Sequence, residues 1–141
     1  MLNGANDNNW EILTKEQIET EFDIVKMRGL VRHFAKEKKL GIVDQTRITT
    51  AVSELLRNMH QYANGGLFII EIGNYEGNNA LIFTCIDEGP GIPDLELAMS
   101  DGYTSSEGMG YGLPGTKRLV DNFEIETEVN KGTKVRIMKW I

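Results

Sequence analysis

Glu54 and Asn58 are four residues apart, so a helix through them sets a carboxylate and an amide on one face. At about 100° per residue both fall to the same side of Leu55, at the edge of an apolar stripe, where polar groups can look into a cleft. An Asn carbonyl oxygen suits Mg²⁺, a hard ion that borrows most of its ligands from phosphate and water. A carboxylate such as Glu54 can orient or deprotonate an attacking hydroxyl. The same pair also fits a solvated helix flank.

Asp87-Glu88-Gly89-Pro90-Gly91-Ile92-Pro93 follows an apolar segment. Asp87 therefore stands at a strand end with a sharp turn after it. Such a carboxylate can accept a hydrogen bond from the amino group of a base, worth about 1.5–3 kcal/mol, while the glycines let that base lie close. A plain structural turn needs the same residues. Seven of the 15 glycines lie between positions 89 and 115, a bias that fits either a phosphate cradle or a mobile surface loop.

Two familiar phosphate motifs fail here. Gly110-Tyr111-Gly112-Leu113-Pro114-Gly115 matches G-x-G-x-x-G, but polar, turn-like residues precede it where a strand is required. Thr116-Lys117 after Gly115 reverses the Walker A order. What survives is a run of glycines entering a helix with Pro114 in its first turn.

The elements that must hold these residues follow from periodicity. Thr20 with Asp23 starts a helix running to about residue 38, with Ile24, Met27, Val31 and Phe34 on its buried face. Asp44 offers an N-cap for a second helix with Ile48, Val52, Leu55, Met59 and Tyr62 as its core stripe, ended by Gly65-Gly66. Segments 67–72 and 80–86 read as paired strands about the turn Glu76-Gly77-Asn78-Asn79. Residues 113–122 read as a short helix. Phe123, Ile125 and Val129, then Val135 and Ile137, form a terminal hairpin with one wet face. Residues 10–20 fit strand or loop. The expectation is an α/β two-layer sandwich, its mixed, mainly antiparallel sheet carrying helices on one face.

The 141 residues suffice for one domain, expected over 10–141 behind a loose tail at 1–9. A net charge of −6 opposes broad nucleic-acid binding. No apolar run approaches the roughly 20 residues of a membrane helix, and residues 1–9 read as a loose tail rather than a signal peptide, so a cytoplasmic protein is expected. The lone Cys85 rules out an internal disulfide and reads as core. His33 and His60 read as surface histidines.

In this order the pieces resemble the ATP-binding domain of gyrase, the heat-shock chaperone, mismatch-repair ATPases and histidine kinases, the GHKL or Bergerat fold. Glu54-Leu55-Leu56-Arg57-Asn58 resembles the N box, Asp87-Glu88-Gly89-Pro90-Gly91 the first glycine box, Gly108-Met109-Gly110-Tyr111-Gly112-Leu113 the second, and Gly132-Thr133 the last. The resemblance implies ATP and Mg²⁺ as cofactors. It implies Asn58 on the metal, Asp87 on the adenine amino group, Thr133 supporting that contact through water, and Gly89 and Gly91 beside the base. Gly108, Gly110, Gly112 and Leu113 would hold the triphosphate under a lid over about 94–107, and Glu54 would be base or orienter. Gln61 stands where many histidine kinases carry lysine, and no phosphoacceptor helix precedes the domain, so the histidine-kinase branch is not expected.

From about residue 22 the chain is similar to the small bacterial anti-sigma-type serine/threonine kinases, the stressosome switch kinases in particular. Asp-Ile-Val at 23–25, Val-Asp-Gln-Thr-Arg-Ile-Thr-Thr at 43–50 and Gly-Leu-Pro-Gly at 112–115 carry this. That resemblance implies phosphorylation of STAS-domain partners in partner switching, and activation of a PP2C-type phosphatase regulator by the released kinase. A nucleotide-dependent anti-sigma or binding module, and a stand-alone ATPase, are the alternatives.

Overall fold

The computed structural model describes residues 9–100 and 111–141. Residues 1–8 of the expected tail at 1–9, residues 101–107 of the expected lid, and Gly108 and Gly110 lie outside the described residues. The elements run β1 (Glu11–Ile18), α1 (Glu21–Glu37), α2 (Ile42–Ala63), β2 (Gly66–Tyr75), β3 (Asn78–Asp87), α3 (Leu95–Ala98), α4 (Leu113–Arg118), β4 (Asn122–Glu128) and β5 (Gly132–Trp140).

Helix α1 starts as its sequence dictates. The Thr20 hydroxyl accepts from the Asp23 N–H, and the Asp23 carboxylate accepts from the N–H groups of Thr20 and Glu19 at 3.0 and 2.9 Å. Those bonds hold the Asp23 carboxyl below its usual range. Helix α2 departs from expectation at both ends. Its N-cap is Gly41, whose extended backbone leads the chain in, and Asp44 lies inside the first turn, 3.6 Å from Lys139 on β5. Its C-cap is Asn64 in the left-handed conformation, ahead of the two glycines.

The strand order is β1-β2-β3-β5-β4, and all four pairings are antiparallel rather than mixed. The undecided segment before Thr20 is the edge strand β1. The turn between β2 and β3 narrows to Glu76-Gly77, both at positive φ. Helix α4 ends at Arg118, four residues before the expected limit, because Asn122 already pairs with Met138 in the sheet. Val129 falls past β4 and is exposed.

The main core lies between the helices and one sheet face. Ile24, Met27 and Val31 of α1 and Ile48, Val52, Leu55 and Leu56 of α2 pack with Phe68, Ile70, Leu81, Phe83 and Ile137. The opposite sheet face is drier than expected. Trp10, Ala80, Ile82 and Met138 form a second buried cluster there, flanked by Tyr75 and Trp140. Gly73 makes room for the Trp10 ring, since a Cβ would come within 2.4 Å of it, and the Arg136 guanidinium sits 5.0 Å from the ring centre. One long ring thus roofs a face that alternation alone marks as wet.

Candidate functional site

The β3–β5 pairing sets Asp87 opposite Thr133 at the end of two central strands. Asp87 Oδ1 accepts from the N–H of Gly89 at 2.9 Å and of Thr133 at 3.2 Å. Both bonds fall on one oxygen, and the other keeps its lone pairs for a ligand N–H. Burial raises the Asp87 carboxyl above its ordinary value, against the two N–H groups that pull it down.

Three glycines allow this turn. A Cβ on Gly89 would stand 2.5 Å from the Ala63 Cβ at the end of α2. On Gly91, at φ 76°, it would meet the Glu128 carbonyl oxygen at 2.4 Å. Gly132, at φ 135°, lies so that a Cβ would come within 2.0 Å of the Asp87 carbonyl oxygen. Gly91 lines the cavity beside Asp87, whereas Gly89 packs against the helix end.

That cavity is bounded by Asn58, Tyr62, Asp87, Gly91, Tyr111, Leu113 and Thr133 over an apolar floor of Leu55, Met59, Cys85, Ile92 and Val135. Cys85 is core as expected and part of this floor, and its thiol is raised by burial and then by the Asp87 charge. The free space is about 40 Å³, room for a water rather than a purine. Tyr62, expected in the core stripe, is half-buried in the cavity wall and meets the Tyr111 ring at 4.8 Å between centroids. Asn58 Nδ2 donates to the Tyr111 carbonyl at 2.6 Å, which fixes the amide and presents Oδ1, a hard oxygen, as the group able to hold a metal. Among the described residues no cluster of three or more His, Cys, Asp or Glu could hold one. A single amide oxygen fits Mg²⁺ that takes the rest of its shell from phosphate and water.

Glu54 looks elsewhere. With Arg28, Arg32, Ser53, Arg57, Gly112 and Thr116 it lines an open cleft of about 560 Å³ on the far side of the Tyr111–Gly112–Leu113 strip. Gly112, at φ 68°, brings the strip onto the carboxylate, where a Cβ would stand 2.6 Å from Glu54 Oε1. Arg57 Nη1 donates to Glu54 Oε2 at 3.2 Å. One helical turn thus gives the closed cavity an amide and the open cleft a carboxylate.

The sequence offered no sign of Thr127. Its hydroxyl accepts from the Ile92 N–H at 2.9 Å and lies 3.2 Å from the Gly132 carbonyl and 2.9 Å from Thr133 Oγ1. It ties the turn after Asp87 to the last strand, through partners 35 residues apart in one direction and six in the other. The histidines stay outside the site's chemistry. His33 is exposed, and His60, expected at the surface, is half-buried, its Nδ1 without a hydrogen-bond partner among the described residues.

A comparison with family models matches residues 43–140 to the histidine kinase-, DNA gyrase B- and HSP90-like ATPases. The chain belongs to this ATPase family. It is 47% identical over 125 residues to the serine/threonine-protein kinase RsbT of Bacillus subtilis (strain 168), covering 89% of this chain and 94% of that one. Membership of the family's serine/threonine-protein kinase branch follows. An anti-sigma F factor of Thermoanaerobacter sp. (strain X514) is 36% identical over 119 residues, 81% of this chain and 82% of that one. A chain of the SiaB–SiaC complex from Pseudomonas aeruginosa shares the fold at a TM-score of 0.63 and 14% identity, covering 91% of this chain and 89% of that one. The two-layer GHKL arrangement is therefore the fold of this chain. No helix among the described residues is long and apolar enough to cross a membrane.

Proposed function

We propose that this GHKL domain, residues 10–141, is an ATP- and Mg²⁺-dependent protein kinase that phosphorylates Ser or Thr on STAS-domain partners in the bacterial cytoplasm. In this reading it is part of a stressosome-type partner switch, and once released it binds and activates a PP2C-type phosphatase regulator. The observation that carries the reading is the division of one helix face, Asn58 to the closed cavity and Glu54 to the open cleft. Nucleotide and protein acceptor are thereby offered separate sides of one thin strip. The kinship with RsbT and with anti-sigma factors supports the partner-switching part.

Asp87 would take the adenine amino group on its second oxygen, with Thr133 beside it and Gly89 and Gly91 shaping the turn. A purine enters once the Tyr62–Tyr111 pair parts. Asn58 Oδ1 would hold Mg²⁺, which supplies charge neutralisation on the phosphate oxygens. Gly112 and Leu113, together with Gly108 and Gly110, would guide the triphosphate across the strip. The acceptor hydroxyl then attacks the γ-phosphorus, the bond to the β-phosphate oxygen breaks, and ADP leaves. Glu54 orients the hydroxyl and receives its proton, while Arg57 keeps the carboxylate aimed into the cleft.

Transfer from labelled ATP to a STAS-domain protein tests this. Glu54→Gln should bind ATP nearly as well as the wild type and lose about 10²–10⁴ of the transfer rate; an undiminished rate removes Glu54 from the chemistry. Asn58→Ala should lose Mg²⁺-dependent transfer, and retained activity contradicts its role as metal ligand. Partner capture that needs nucleotide but yields no phosphopeptide would favour the binding-module alternative.

A further inference from the structure

Thr127, Thr133 and Asp87 stand in one row across three adjacent strands. In the β4–β5 pairing Thr127 is directly opposite Thr133, and in the β3–β5 pairing Thr133 is directly opposite Asp87. Opposed residues of an antiparallel pair put their side chains on the same face of the sheet, here the face that carries the closed cavity. Asp87 and Thr133 line that cavity, and Thr127 stands one strand behind them. Its hydroxyl therefore acts on a ligand only through Thr133.

A threonine hydroxyl has one proton to give and two lone pairs to receive with. Thr127 Oγ1 receives the Ile92 N–H at 2.9 Å. Its own proton has two destinations, the Gly132 carbonyl oxygen at 3.2 Å and Thr133 Oγ1 at 2.9 Å. The choice decides what Thr133 presents to the cavity. With the proton on the Gly132 side, Thr127 receives from Thr133, and Thr133 turns a lone pair inward. With the proton on the Thr133 side, Thr133 keeps its own proton for the cavity. The second arrangement uses the shorter contact, the nearer to the usual O–H···O distance of about 2.7–2.8 Å. It also runs from the Ile92 N–H through both hydroxyls in one direction, and hydrogen bonds aligned in this way strengthen one another.

We propose that Thr127 is a positioning residue for nucleotide choice: it turns the Thr133 hydroxyl into a donor aimed at the bare ring nitrogen of adenine. The two adjoining groups on that edge of the base have opposite needs. The amino group needs an acceptor, which the second oxygen of Asp87 offers, and the ring nitrogen beside it needs a donor, given by Thr133 directly or through one water. A 6-oxopurine carries an N–H at that nitrogen, so it meets the oriented Thr133 donor against donor. Held only by its own side-chain torsion, Thr133 would present proton or lone pair as the base required. The inference rests on the proposed nucleotide reading, in which Asp87 and Thr133 take the adenine edge, and adds the residue behind them that sets the direction of the proton.

The test is calorimetric titration of the full chain, in Mg²⁺, with ATP and with 1-deaza-ATP, in which a C–H replaces the ring nitrogen. The wild type should bind the analogue about three- to tenfold more weakly. Thr127→Val removes the hydroxyl at nearly constant size, and the ratio of the two affinities should fall toward one. A merely structural loss would weaken both ligands alike and keep the ratio. Thr127→Ser retains all three bonds and should restore the wild-type ratio. Should the valine chain fail to fold, Thr127→Cys takes its place, since a thiol is too weak a donor to hold the relay. An unchanged ratio in the valine or cysteine chain overturns the role of Thr127, as does a serine chain no more discriminating than they are. A wild type that binds ATP and the analogue equally overturns it without any variant, leaving the nucleotide reading intact. A folded wild type that takes up no ATP removes both.

Discussion

In the proposed role of base reader, Asp87 would give a single carboxyl both specificity and a pH signature. Burial raises its proton affinity while the Gly89 and Thr133 N–H groups oppose that rise. Only the ionised form offers both oxygens as acceptors, one to the backbone and one to a base amino group. For a carboxyl with a raised value, the protonated fraction grows as pH falls while ordinary carboxylates, near 4, are still ionised. ATP affinity is therefore expected to be flat at neutral pH and to decline on acidification through the raised Asp87 value, before general acid unfolding. Calorimetric titrations across pH check this, and Asp87→Asn should flatten the curve. A decline that begins only in the ordinary carboxylate range would mean that Asp87 does not govern the base contact.

Among the elements, the β3–β5 pair and α2 do most of the positioning, and the glycines between them are packing requirements as much as ligand devices. Gly132 combines φ 135° with a Cβ position 2.0 Å from the Asp87 carbonyl, so Gly132→Ala must displace the strand end that holds Thr133. A loss of about 2 kcal/mol or more is expected from strain and clash together, read as a lower denaturation midpoint. Gly77→Ala is the comparison, since φ is also positive there but nothing lies within 4 Å; an equal loss would assign the effect to conformation alone. The stripes of α1 and α2, the Thr20 cap and the central strands were legible in the sequence because each is a local signal of period or capping. The partition of Glu54 and Asn58 between two cavities was not, because it depends on where Gly112 returns to the helix from more than 50 positions away. Thr127 was hidden for the same reason, and Trp10 because its packing depends on the missing side chain of Gly73.

For the molecule as a whole, the free space beside Asp87 is about 40 Å³ among the described residues, so in the proposed reading a purine would select or create a wider arrangement there. Whatever its route, binding confined to the folded state stabilises by mass action, by about 2.7 kcal/mol at a hundredfold excess over Kd. Differential scanning with Mg²⁺ should therefore show an upward Tm shift with ATP that Asn58→Ala reduces. A shift of the same size without Mg²⁺ would leave the amide no part in the grip.

The strip at Tyr111, Gly112 and Leu113 is a party wall. Its Tyr111 ring faces the cavity beside Asp87, the proposed nucleotide chamber, its carbonyl is clasped by Asn58, and its glycine rests on Glu54 at the edge of the cleft. A base that pushes Tyr111 outward tugs on everything mortared to it, so the chamber's tenant alters the room next door. In the proposed kinase reading, thermodynamic reciprocity would then make a docked protein change nucleotide affinity by the same factor with which the nucleotide changes docking affinity.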